Sequence, residues 1–159
     1  MHMIRPNLGK LAPAFSTLDE NGNKVALKDY RGKIVILYFY PKAMTPGCTT
    51  QACALRDNKK ELDKLNVVTL GISPDAPKRL LKFKERDELN FTLLSDTDHA
   101  IAEKYGVWGL KKFMGREYDG IHRTTFIINA DGKLVNIMDK FKTKTHHDDV
   151  IEYIKSELI

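Results

Sequence analysis

Residues 33–40 read Lys-Ile-Val-Ile-Leu-Tyr-Phe-Tyr, a run that stays apolar after its first residue and is β-branched early and aromatic late. A strand with one wet face alternates apolar and polar residues. A run with no polar face belongs to a central strand covered on both sides, flanked by other strands and by packing layers. The run is far shorter than the ~20 residues that span a bilayer. With 159 residues the chain fits one domain, residues 1–159, large enough to bury roughly 68–70% of its unfolded surface without disulfide staples. Hydrophobic residues at 42% and charged residues at 30% exclude wholesale disorder. The opening Met-His-Met-Ile-Arg-Pro lacks the apolar core of a secretory signal, and two cysteines make no disulfide scaffold. These features predict a soluble, cytoplasmic domain.

The net charge is +5. Residues 1–80 hold 13 of the 26 basic side chains but only 7 of the 21 acidic ones, so the cysteines sit in the positive half. Charges of both signs are mixed along every predicted helix, and no basic stripe interleaves with aromatics. That pattern fits solvated helix faces rather than a nucleic-acid surface.

Around the central strand the pattern is regular. Residues 15–19 and 24–27 flank Asn21-Gly22-Asn23 as an N-terminal β-hairpin. Cys48, Ala52, Leu55, Leu62 and Leu65 keep helical spacing. Residues 67–72 read as a second buried strand and 77–88 as a second helix. Asp98 can cap a short helix that runs through Tyr105 and stops at Gly106. Residues 106–121, punctuated by glycines, are expected to form a long irregular loop. Strands at 124–128 and 133–138 flank the hairpin signal Asn129-Ala-Asp-Gly132, and 148–158 form a closing amphipathic helix. The order predicts an α/β, thioredoxin-like arrangement with a central mixed sheet flanked by helices.

The chemistry concentrates where the central strand leads into the first long helix, the edge at which open α/β sheets place ligands. Thr45 and Pro46 read as N-cap and first helical residue. Cys48 then lies in the first turn, where unpaired N–H groups and the positive end of the helix dipole favour a thiolate. Cys53 follows five residues on, not the three of a C-x-x-C disulfide exchanger. On an intact helix that spacing gives about 500° of rotation and ~7.5 Å of rise. The Cα atoms would be roughly 8–9 Å apart, beyond the ~7 Å limit for a disulfide. A bond between them would require the first turns to unwind; alone, Cys53 reads equally as an ordinary small helix residue.

Pro41-Lys-Ala-Met-Thr45-Pro-Gly-Cys48 resembles the peroxiredoxin pattern P-x-x-x-T/S-x-x-C. With Cys53, Gly-Val-Trp-Gly at 106–109 and Tyr-Asp-Gly-Ile-His-Arg at 118–123, the chain is similar to the bacterioferritin comigratory protein or peroxiredoxin Q branch over essentially its whole length. The resemblance implies Cys48 as peroxidatic cysteine, Cys53 as resolving cysteine in a disulfide with it, and Thr45, Pro41 and Arg123 as active-site partners. It also implies thioredoxin as reductant.

A free cysteine of pKa ≈ 8.5 is only about 3% ionised at pH 7, so lowering a pKa can raise the reactive fraction at most ~30-fold. A fast peroxidase must also stabilise the transition state. Thr45 can offer a hydroxyl, Arg123 a fixed cationic fork, and Pro41 can shield the sulfur from water. The expectation is a monomeric peroxidase for hydrogen peroxide and organic hydroperoxides, using protein thiols without cofactor or metal. A disulfide oxidoreductase is disfavoured by the spacing and by Thr45, and a non-catalytic thioredoxin-like binding domain would tolerate loss of Thr45 and Arg123. Trp108 and Met114 read as local packing. Adjacent His146 and His147, with no third ligand in sequence, read as a solvated helix start rather than a metal site.

Overall fold

The computed structural model describes residues 3–159; the first two residues of the segment searched for a signal core lie outside them. The apolar run forms β3 (Ile34–Phe39), buried along its whole length. Further strands are β1 (Ser16–Leu18), β2 (Lys24–Ala26), β4 (Val67–Ser73), β5 (Thr92–Ser95), β8 (Thr124–Ile128) and β9 (Leu134–Met138). Four of these join β3 in one sheet, in the order β5-β4-β3-β8-β9. β3, β4 and β5 run parallel, and β8 and β9 pair antiparallel, so the sheet is mixed as expected.

The two-residue period of β3 divides the core. Val35, Leu37 and Phe39 face a cluster with Phe15, Tyr105 and Phe126, beneath the N-terminal segment and α4 (Ala100–Lys104). Ile34 and Ile36 face α2 (Lys59–Lys64) and α5 (His146–Glu157) through Leu62, Val150 and Ile154. Tyr38 and Tyr40 face α1 (Pro46–Asp57) and α3 (Pro77–Arg86) through Ala52, Leu55, Leu80 and Phe83. Each fully buried side chain of this kind contributes about 1.5–3 kcal/mol over exposure. Gly71, the register partner of Tyr38, leaves room for its side chain; a Cβ there would come within 2.9 Å of the ring.

The hairpin of β1 and β2 forms as predicted, its loop tied by Asp19 Oδ1, which accepts the N–H groups of Asn21 and Asn23 at 2.9 Å. Three expectations are corrected. The helix read from 48 to 65 breaks at Asn58, whose side-chain amide donates to the Ala54 carbonyl at 2.8 Å and separates α1 from α2. The stretch 106–121 is not an irregular loop but a second hairpin, β6 (Trp108–Phe113) with β7 (Arg116–Ile121), turning through Met114 and Gly115, both at positive φ. Within it Trp108 does pack locally, stacked on the His99 ring at 3.9 Å, whereas Met114 is 87% exposed at the tip. Capping of α4 falls mainly to Asp96, which accepts the N–H groups of Ile101 and Ala102, while Asp98 accepts only that of Ala100.

His146 also departs from expectation. It is fully buried rather than solvated, sharing a 2.7 Å hydrogen bond with Thr125 and packing against Phe141 and Tyr38. The start of α5 is thus pinned to β8, beside the end of the central strand. Burial, then the charges of His147 and Arg123, push its pKa down to about 3, whereas the unfolded chain protonates near 6.5. The unfolded state therefore binds more protons below ~pH 6.5, and stability present above that value is lost as pH falls toward 3. The slope is at most about 1.4 kcal/mol per pH unit. Urea midpoints measured from pH 7 to 4 should fall more steeply for the parent than for His146→Gln; parallel slopes would contradict this account.

Candidate active site

The loop from β3 to α1 carries Pro41, Thr45 and Cys48. Pro46 is the first residue of α1 and Thr45 stands at the N-cap position with extended backbone, which puts Cys48 third in the helix, as the Thr-Pro signal predicts. The Thr45 hydroxyl does not cap the helix, however. It donates to the Lys42 carbonyl at 2.8 Å and so closes the loop on itself. Met44 holds a left-handed φ of 67° just before it, a conformation that costs a non-glycine residue of order 1 kcal/mol, offset by packing of Met44 on the cluster around Cys48.

The loop is clamped from α3. Asp75, nearly buried at the turn into that helix, accepts the Ala43 N–H at 2.8 Å and the Ser73 hydroxyl at 2.7 Å. Its other oxygen pairs with Arg79 at 3.2 Å, and Arg79 donates to the Ala43 carbonyl at 2.8 Å. Both backbone groups of Ala43 are thereby held by one ion pair. Sequence reading missed Asp75 and Arg79; their i, i+4 spacing at a Pro-initiated helix was the available signal.

Cys48 is buried, 1% exposed. Arg123, immediately before β8, donates to it through Nη2 at 3.4 Å and through Nη1 to Gln51 Oε1 at 2.7 Å. Gln51 is wholly buried one helical turn beyond Cys48, and its Nε2 has no partner among the described residues. It was also missed, since a glutamine inside a helix carries no distinctive signal. Its contact orients the guanidinium, so the fork presents fixed positive charge and N–H donors to the sulfur. Thr45 and Pro41 are half-buried on the same loop; Pro41 lies two residues beyond the end of the central strand. Cys53 lies farther along the same intact α1, half-buried, and burial raises its pKa above the usual thiol value. Both cysteines are free thiols. Among the described residues no group of three or more His, Cys, Asp or Glu side chains gathers as metal ligands.

The sequence pattern of the AhpC/TSA family matches residues 8–137. The chain belongs to the AhpC/TSA family. It is 61% identical over 150 residues to a putative peroxiredoxin bcp of Haemophilus influenzae, covering 94% of this chain and 97% of that protein. It is 57% identical to peroxiredoxin Bcp of Escherichia coli, covering 92% and 94%. Among solved structures, a PrxQ variant of Xylella fastidiosa superposes with TM-score 0.91 at 25% identity over 98% of this chain and 99% of that one. The bacterioferritin comigratory protein of Xanthomonas campestris superposes with TM-score 0.87 at 30% identity, over 94% and 98%. The fold is thioredoxin-like, and the chain is a thiol peroxidase of the peroxiredoxin class.

Lysine keeps the charge of arginine but lacks the planar fork that reaches sulfur and Gln51 together. Arg123→Lys is therefore expected to slow the peroxide step about 100-fold, about 2.7 kcal/mol, as for loss of one preorganised donor. Rapid-mixing rates of Cys48 oxidation equal to the parent's would refute the role given to the fork.

Proposed function

We propose that Cys48 is the peroxidatic cysteine and Cys53 the resolving one in the reduction of hydrogen peroxide and organic hydroperoxides, with Thr45, Arg123 and Pro41 as active-site partners. The observation that carries this reading is the 3.4 Å contact from Arg123 to a buried sulfur in the first turn of α1. The Xanthomonas relative is described as reducing alkyl peroxides, which supports the substrate class.

In the first step the Cys48 thiolate attacks the terminal oxygen of R–O–OH. The S–O bond forms as the O–O bond breaks, and RO⁻ leaves and takes a proton from solvent. Negative charge moves from sulfur to the leaving oxygen, and the Arg123 fork can hold both ends without reorganising. The Thr45 hydroxyl, now turned to Lys42, can rotate to the peroxide at the cost of one local bond. Pro41 screens the sulfur from water. In the second step the Cys53 sulfur, as thiolate, attacks the sulfenic sulfur; the S–S bond forms as the S–O bond breaks, and hydroxide leaves, taking a proton from solvent to become water, which gives the Cys48–Cys53 disulfide. Thioredoxin, or a similar dithiol, then reduces it and carries away the disulfide. In a reducing cytoplasm, the compartment proposed here, both positions return to thiols between turnovers. The protein acts as a monomer, with residues 1–159 as one domain.

Intact mass after one equivalent of peroxide tests the assignment. The parent should lose two hydrogens, Cys53→Ser should gain one oxygen on Cys48, and Cys48→Ser should neither change mass nor turn over. Normal turnover of Cys53→Ser with thioredoxin would remove the resolving role, and continued peroxide consumption by Cys48→Ser would remove the peroxidatic one.

A further inference from the structure

Next to the proposed reactive sulfur an open cavity of about 350 Å³ is lined by Arg5, Lys111, His122, Arg123, Asp139 and Lys140. Its acidic residue is already committed. Asp139 pairs with Arg5 at 3.0 Å, and Arg5 also donates to the Gly106 carbonyl and the Thr124 hydroxyl, so that pair ties the N-terminal segment to the sheet. His122 is engaged with the Leu110 carbonyl at 3.0 Å. Among the described residues no carboxylate lies within 4.0 Å of Lys111, Arg123 or Lys140.

Lys111 is the telling member. Its ammonium is half-buried on β6 and bonds only a carbonyl, that of Ile121, at 2.8 Å. Burial first, and the charge of Arg123 second, hold its pKa below the usual lysine value, while Cys48 opposes the shift. Desolvating a cation beside another cation is costly unless an anion completes the site. Arg123 is turned toward the Cys48 sulfur, which leaves Lys111 and Lys140 uncompensated on the outer wall.

We propose that this cavity is a subsite for a carboxylate carried by the hydroperoxide, with Lys111 and Lys140 as specificity-determining residues. The proposal rests on Cys48 being the reacting sulfur. One guanidinium bridges the two places, since Arg123 touches Sγ and also lines the cavity. A hydroperoxide reacting at Cys48 can therefore set its far end between the lysines. The cationic wall offsets the repulsion between an anionic substrate and a thiolate, and it raises the local concentration of such substrates.

The test compares cumene hydroperoxide bearing a para-carboxylate with its methyl ester, which has the same reacting group and nearly the same size. Rate constants for Cys48 oxidation are measured by rapid mixing. For the parent at low ionic strength the acid should react about tenfold faster than the ester, and the advantage should shrink in high salt as screening sets in. Lys140→Gln, at an exposed position, and Lys111→Gln should each reduce the acid-to-ester ratio, and the double variant should bring it near unity. Equal rates for acid and ester in the parent, or an advantage that survives in the double variant, would overturn the subsite. Failure of the Cys48 assignment is a separate result, seen as oxidation of both compounds by Cys48→Ser.

Discussion

A buried sulfur held against a guanidinium is the constraint on which the rest of this molecule depends. Cys48 is removed from water and Arg123 is drawn in to meet it. An arginine in that setting needs partners for its remaining donors, because an unpaired buried charge is costly. Gln51 supplies one, and it can do so only because α1 is intact and places it one turn from Cys48. The first turn of α1 is thus both the platform for the sulfur and the jig for the cation opposite.

That platform hangs from the end of the central strand by a short loop that would not hold its shape unaided. Met44 sits in a left-handed conformation and Thr45 turns back on Lys42. The ion pair of Asp75 and Arg79 grips Ala43 from the neighbouring strand and helix. On the other side Arg123 leaves directly into β8, paired with β3, and His146 pins α5 to Thr125 on that same strand. Sulfur and guanidinium therefore approach from two adjacent strands of one rigid sheet, which suits a site that must meet a developing charge without rearranging. In the proposed cycle the motion is left to the helix.

Local patterns carried much of this into the sequence. The unbroken apolar run of residues 34–40 identified the central strand, and Thr45-Pro46 set the helix start that gives Cys48 its place. What was not legible depends on distant partners. The contact from Arg123 to Cys48 spans 75 residues, and only the family resemblance brought Arg123 forward. His146 looked solvated because its partner Thr125 is 21 residues away. The second hairpin was hidden for a different reason. Most of β6 and β7 is exposed on both faces, so no alternation marks it, and a Met-Gly turn lacks the usual Asn-Gly or Asp-Gly signature.

A disulfide between residues five apart cannot form across an intact helix, so under the proposed assignment the turns that present Cys48 to peroxide must open before Cys53 can reach it. Helix nucleation is the costly step, so once the first turn is lost the opening should spread from residue 46 to about 56, while β3, locked between two neighbours, stays closed. Amide hydrogen exchange on the reduced and disulfide forms measures this directly. Protection of residues 48–56 should collapse on oxidation while that of residues 34–39 is retained; equal protection of residues 48–56 in both forms would contradict the account.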